Sequence, residues 1–377
     1  MNHFSHQLLR YQIEEKGYEN LIFSPASFEV IFAMLLAGSQ GATRQLLLKT
    51  LEISENEVSS FLQNQQTYIH SSFSEYRSPS DEPTIRKFAN GLWFRSTEQI
   101  RASYQGDLQH YFSAHIQPFD SSLEKTQQQI NHWVNTHTNQ LIPSLPLVLD
   151  DATIAVLINA LHLKTTWSYE LTPRSIGDFH LLDGTTQPCR YMGLKQDSPT
   201  SAEALYFKKE NFHALAYLSI DRRIALTMYL PFEKDGLPQL LEEITPESLK
   251  AWDDLFEPIE VFDFKIPKFE IASDLNLSQI TKKMGLAALF QPSQDFAPIF
   301  GDKTLQGFGE VSQANKIYVH EKGLEASAAS FIALTLGMSS ATKVYFKATH
   351  PFFYCIKDLA TNQALFQGIF TTPTNPQ

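Results

Sequence analysis

A chain of 377 residues, 43% hydrophobic and 12% aromatic with 28 phenylalanines, holds ample material for a buried core and none of the composition of a disordered segment. Acidic residues outnumber Lys and Arg by 41 to 30, and the resulting formal charge of -11 repels polyphosphates and anionic lipid, which argues against nucleic acid and membrane surfaces as partners. Cys189 and Cys355 lie far apart and read as free buried thiols, because a chain of this length needs no disulfide to fold.

In chain order, helical spacing or capping signals fall on Phe4 to Glu15, Ser27 to Leu36 after Ser24-Pro25, Thr43 to Leu51, Glu55 to Phe73 and Gln127 to Thr138. Strands are fewer in this half. Ile85 to Phe94 is one, and Thr153 to Leu163 is so nearly all apolar that it reads as a central strand covered on both faces. The second half turns to short alternating runs at Phe179 to Leu182, Ala204 to Phe207, Ala214 to Leu218, Ile224 to Leu230 and Val261 to Phe269, separated by turns such as Asp183-Gly184. An amphipathic helix is expected over Asp274 to Leu286, and strands return at Lys343 to Phe346, Phe352 to Ile356 and Ala364 to Phe370. No repeat or low-complexity linker divides the sequence, so a single domain over 1–377 is expected. The short basic pairs Arg86-Lys87 and Arg222-Arg223 read as solvated faces. Met1 to Glu15 lacks the basic and apolar regions of a secretory leader; the expectation is a cytoplasmic protein, with secretion of a trimmed or leaderless form as the alternative.

Enzyme motifs are absent. His320-Glu321 starts like a zinc-protease helix, but Leu324 stands where the second histidine belongs. Gly38 to Thr43 lacks the Lys-Ser/Thr of a phosphate loop and reads as a helix-joining turn, and Gly337 to Ala341 fails the last position of a nucleophile elbow. Neither a cofactor nor a metal is implied.

One segment has an unusual composition. Glu321 to Phe331 runs through small residues and is followed by the uncharged stretch Ile332 to Thr342. From Leu324 onward the even positions Leu324, Ala326, Ala328, Ser330, Ile332, Leu334 and Leu336 are nearly all apolar, while Glu325, Ser327 and Thr335 fall on odd ones, which is the period of a strand with one buried face.

Neighbouring motifs give this run a context. Asn20 to Ser27 with Leu36 to Thr43, Phe88 to Phe94, Ile130 to Val134 with Thr138, and Leu157 to Lys164 with Trp167 occur in the order of serpin signatures. Ile266 to Phe269, Met284 to Leu286 with Phe290, the Glu321 segment, His350-Pro-Phe352 and Leu365 to Gly368 continue that order, so the chain resembles a serpin over nearly its whole length. The resemblance implies an α+β fold of three β-sheets and eight or nine helices, with an exposed reactive loop over about 323–345. It also implies a monomer that is not an enzyme but a suicide-substrate inhibitor: a serine protease, or a cysteine protease, cleaves the loop and is trapped as the hinge side inserts into the main sheet. The hinge would comprise Glu321, Gly323, Leu324, Glu325, Ala326, Ala328 and Ser330, and family spacing from both ends sets the reactive bond at Gly337-Met338, with Leu336 as an alternative anchor.

A small or apolar anchor implies elastase-, subtilisin- or chymotrypsin-like targets rather than trypsin-like ones. Small hinge residues and the lack of proline between Gly323 and Tyr345 leave a ladder unobstructed. The resemblance further implies a shutter and breach formed by Ser24, Ser27, Asn159, Lys164, Trp167 and Gln313. Two departures, Leu324 where inhibitory members usually carry Thr or Ser and Gln313 where many carry His, leave a non-inhibitory binding, carrier or chaperone role as the alternative. Glu55 to Phe73 has no Lys or Arg, so heparin activation is not expected.

Overall fold

The computed structural model describes residues 2–71, 84–95, 100–145, 147, 149–151, 153–194, 202–276, 280–301, 312–324 and 344–374. The expected hinge residues Glu325, Ala326, Ala328 and Ser330, the reactive bond Gly337-Met338 and Leu336 lie outside them.

Helix α1 (His3–Lys16) is capped by Asn2 Oδ1, which accepts from Ser5 N at 2.9 Å. After β1 (Leu21–Phe23) comes α2 (Pro25–Ala37), which starts where Ser24 Oγ accepts from Ser27 N at 3.1 Å and Pro25 takes the first helical position. Being apolar nearly all round, α2 lies wholly inside the core. The chain continues through α3 (Gly41–Leu51), α4 (Val58–His70), β2 (Ile85–Phe94), α5 (Ala102–Phe112), β3 (His115–Pro118), α6 (Leu123–His137) and β4 (Ala155–Thr166). Short strands β5 (Thr172–Pro173), β6 (Gly177–His180), β7 (Thr186–Cys189) and β8 (Tyr191–Gly193) precede the meander β9 (Ala202–Lys208), β10 (Phe212–Leu218), β11 (Ile224–Pro231). Then follow α7 (Leu237–Glu243), α8 (Pro246–Asp253), β12 (Glu257–Pro267), β13 (Phe269–Asn276), α9 (Ala297–Phe300), β14 (Ser312–His320), β15 (Gly323–Leu324), β16 (Val344–Lys347), β17 (Phe352–Asp358) and β18 (Gln363–Phe370).

Among the described residues these strands form three sheets. A ten-stranded sheet runs β1-β18-β17-β11-β10-β9-β12-β8-β5 with β16 alongside β12; a six-stranded sheet runs β13-β14-β15-β4-β2-β3; β6 and β7 form a hairpin. The expected mixture of sheets and helices is what is found. As the nearly all-apolar run to Leu163 predicts, β4 is buried on both faces: Leu157, Leu161 and Leu163 join the main core with α2, while Val156, Ile158 and Ala160 pack with Ile130 and Val134 of α6. Both cysteines are free and buried.

Two sequence readings need correction. The helix expected over Asp274 to Leu286 starts later: β13 runs to Asn276 in unbroken antiparallel register with β14, from Phe269 opposite Val319 to Asn276 opposite Ser312, and among the described residues helical backbone covers only 280–286 of that span. Phe269, Ile271 and Leu275 all join the core, and this strand packing outweighs the helical periodicity read at the start of the segment, as tertiary pairing commonly does over local propensity. The second concerns the basic pairs. Arg86 is 7% exposed and ion-paired to the fully buried Asp358 at 3.2 Å, and Arg223 reaches the same carboxylate at 2.6 Å. Arg86 thereby ties β2 of one sheet to β17 of the other, while Arg223, 29% exposed beside β11, holds the same carboxylate within its own sheet, because a buried carboxylate requires cationic partners.

Candidate functional site: the seam of the six-stranded sheet

The six-stranded sheet has a seam. Among the described residues no ladder joins β4 directly to β14; the link is β15, whose Leu324 lies opposite Val319 of β14 and Thr165 of β4, and whose Gly323 lies opposite His320 and Thr166, antiparallel on both sides. Gly323 is required by this fit, since a Cβ there would stand 2.0 Å from Thr165 O. Leu324 is 2% exposed and points into the main core beside Leu161, Leu163, Ile317 and Phe366, bordering a void of about 20 Å³, room for about one water molecule.

The turn before β15 is clamped from the far end of β4. Trp167 Nε1 donates to His320 O at 2.9 Å, Trp167 N to Lys322 O at 2.9 Å and Leu171 N to Glu321 O at 2.8 Å, so three successive carbonyls are held by one short segment. Trp167 is fixed in turn by its edge-on contact with Tyr217, ring centroids 5.4 Å apart. Glu321 pairs with Lys268 at 3.3 Å, with side chains 19% and 21% exposed. Lys268 belongs to the Ile266 to Phe269 motif but carries no distinguishing signal of its own in the sequence. Lys164 sits half-buried on β4 opposite Ile85 of β2.

Beneath the lower part of the seam lies a polar cluster. Gln313 Oε1 accepts from Ser24 N at 3.0 Å and from Asn315 Nδ2 at 2.8 Å, while Gln313 Nε2 donates to Ser24 O at 3.2 Å. Ser24 holds Ser27 through the α2 cap. Asn159, expected in the same group, is instead tied to the other half of the sheet: its Nδ2 donates to Asn90 Oδ1 at 2.7 Å, Asn90 Nδ2 to Phe112 O at 2.7 Å, and Asn159 Oδ1 is buried with no partner among the described residues. The cluster is therefore divided along the same line as the sheet. Asn90 and Asn315 are members the sequence did not reveal, although each is a polar residue inside an apolar strand.

On the far side of the expected loop, β16 pairs parallel with β12 and Phe346 is fully buried, 4.7 Å from the ring of His213. Burial, with smaller contributions from His350 and Lys208, lowers the His213 pKa to about 4, so the imidazole packs as a neutral ring. His350 Nε2 lies 2.8 Å from Pro231 O. Gly38 to Gln40 form the turn between α2 and α3, and the N-terminus of α3 is occupied by Asp295, whose Oδ2 accepts from Thr43 N at 2.8 Å. Among the described residues no cluster of three metal-ligating side chains occurs, and no helix is long and apolar enough to cross a membrane.

Residues 1–373 match the family model described as serpin, serine protease inhibitor. The chain belongs to the serpin family. This serpin is 26% identical over 397 residues to Serpin B10 of Sorex araneus, with 99% of this chain and 98% of the relative covered, and 27% identical over 387 residues to a leukocyte elastase inhibitor of Xenopus laevis, with 98% of each covered. Its fold superposes on human thyroxine-binding globulin with a TM-score of 0.83 at 21% identity, covering 99% of the serpin and 97% of that chain.

Proposed function

We propose that this serpin is a suicide-substrate inhibitor of elastase-, subtilisin- or chymotrypsin-like serine proteases, cleaved at Gly337-Met338 and closing its sheet around the hinge side of the loop. The observation that carries the reading is the seam, where β15 already holds both flanking strands antiparallel and, among the described residues, neither strand pairs with the other directly. Extending that register downward brings position 326 between Leu163 and Ile317, 328 between Leu161 and Asn315, and 330 between Asn159 and Gln313. The sequence supplies Ala326 and Ala328 for the crowded upper levels. At the polar level it supplies Ser330, whose hydroxyl suits the unpartnered Asn159 Oδ1. Positions 332 and 334, Ile and Leu, then fall opposite Leu157 and Ala155, where burial is worth roughly 1.5–3 kcal/mol for each large side chain. Gly337 lies fourteen positions after Gly323. Full insertion at ~3.4 Å per residue would carry an attached protease about 48 Å.

The test is direct. Mixing the protein with elastase, subtilisin and chymotrypsin should give an SDS-stable complex with at least one of them and release a C-terminal peptide beginning at Met338. Cleavage with no stable complex from any of the three would refute inhibition of these classes. A second reading, a non-inhibitory carrier on the same fold, is favoured by Leu324 and Gln313, which stand at the hinge and the polar cluster in place of the residues that inhibitory members usually carry. Melting before and after loop cleavage separates the two, since only an inserting loop raises the melting temperature markedly.

A further inference from the structure

The strand that anchors the C-terminal end of the loop turns an aromatic ring to solvent. β16 alternates strictly, with Val344 and Phe346 buried and Tyr345 and Lys347 facing out. Phe346 packs on Phe264 and His213, and Lys347 Nζ meets Asp263 Oδ2 of β12 at 2.7 Å, so the strand is fixed from both faces. Tyr345 lies opposite Asp263 in the parallel ladder and is 53% exposed. Ile176, between β5 and β6, is 65% exposed, and these two are the most exposed large apolar residues among those described. They share a face. Gly177 lies so near Lys265 that a Cβ on it would stand 3.4 Å from the Lys265 Nζ, and Lys265 is opposite Lys347 in the ladder, two residues along from Tyr345.

Scattered apolar side chains on a surface need no explanation. The position of this pair relative to the loop gives it one. Six residues, Met338 to Lys343, join the proposed reactive bond to Val344. Fully extended at ~3.4 Å each they reach about 20 Å. A protease of roughly 230 residues has a radius of gyration of about 17 Å, and a sphere of that radius of gyration is about 45 Å across. An enzyme twice as wide as its tether cannot hold the bond in its cleft without its rim overhanging β16. Tyrosine is also the residue type that most often anchors such contacts, because it offers a large ring for little lost side-chain freedom.

We propose that Tyr345 and Ile176 form a docking face for the protease engaged at Gly337-Met338, contacting an apolar rim on the side of its cleft that receives the residues after the bond. This rests on the inhibitory reading for the place of the bond, but the face acts on encounter, before the sheet closes. It therefore governs how fast the loop is cut and not what becomes of the enzyme afterwards. The test measures the two separately. Tyr345→Ser, Ile176→Ser and the double variant are mixed with whichever of elastase, subtilisin and chymotrypsin cleaves the native loop fastest. The second-order rate of loop cleavage should fall at least fivefold in Tyr345→Ser and at least tenfold in the double variant, with the ratio of SDS-stable complex to cleaved monomer unchanged. Tyr345→Phe, which keeps the ring, should retain the native rate, and melting curves check that each variant is folded. An unchanged rate in the double variant would overturn the docking face and leave the inhibitory reading intact. A reduced rate with no stable complex from any protein, native included, would keep the face and refute inhibition. Failure of all three proteases to cut the loop would overturn both.

Discussion

Replacing Leu324 with aspartate puts the greatest strain on the account of the seam. Leu324 is 2% exposed beside Leu161, Leu163, Ile317 and Phe366; Lys316 and Tyr318 border the same void, but Lys316 is already paired with Glu270 at 2.7 Å and the Tyr318 ring faces Lys268. Burying an ionised, unpaired group of this kind displaces its pKa by about 3–5 units, or roughly 4–7 kcal/mol at 1.36 kcal/mol per unit, and the lost leucine burial adds about 2–3 kcal/mol. Against this, each ladder hydrogen bond of the two-residue β15 contributes only about 0.5–1.5 kcal/mol net. The introduced carboxylate is therefore expected to stay in water, leaving β15 unformed and the seam without its starting point. Hydrogen exchange at the residue-324 amide should accelerate at least a hundredfold. Under the proposed inhibitory function, the yield of SDS-stable protease complex should fall at least tenfold, with cleaved monomer taking its place. Leu324→Thr, which loses about 1–2 kcal/mol of burial but no ionic cost, should keep most of both signals. Unchanged exchange protection in Leu324→Asp, together with an unchanged complex yield, would refute the reasoning.

Three further outcomes follow from the same geometry. His213, with its pKa lowered from 6.5 to about 4, is neutral when folded and charged when unfolded in between, so the unfolded chain binds the extra proton and stability falls as pH drops from about 6.5 toward 4. At pH 4.5 this amounts to roughly 2–3 kcal/mol, and His213→Phe should flatten that part of the urea-midpoint profile against pH. Gln313→Ala leaves Ser24 N, Ser24 O and Asn315 Nδ2 short of partners and should cost about 2–5 kcal/mol in urea unfolding; Gln313→His, which keeps one donor and one acceptor, should lose less. Arg86→Met strips donors from Tyr68 O and Ser71 Oγ and one cation from Asp358, for about 3–5 kcal/mol, whereas Arg223→Met, whose side chain is 29% exposed, should cost less than half as much.

How far the sequence carries these conclusions depends on the range over which each interaction acts. β4 and α2 announce themselves because nearly every residue is apolar and both faces are buried, a condition visible in one short window. Helices α7 and α8 leave no such signal, because seven or eight residues give too few turns for periodicity to be seen. Arg86 defeats a local reading for a different reason: its neighbour Lys87 is exposed, and the carboxylate that draws Arg86 inward stands 272 positions away. The tie between Gln313 and Ser24 spans 289 positions, so the polar cluster is legible by family pattern but its division into two halves is not. Glu321, Gly323 and Trp167 carry local signals, yet the three carbonyls clamped by Trp167 and Leu171 depend on a chain crossing that no spacing encodes.

The two-residue width of β15 also bears on how the chain reaches this structure. On one side, β2, α5, β3, α6 and β4 are contiguous in sequence, and on the other β13 and β14 pair as a hairpin-like unit, so each half of the sheet can assemble from comparatively near neighbours. Joining them requires Leu324 to find Thr165 across 159 intervening steps of chain, and such a contact forms only after its loop-closure entropy has been met by earlier structure. Within the six-stranded sheet, the seam is thus expected to be the last ladder to close in refolding, with both of its flanking strands exposed as templates until then.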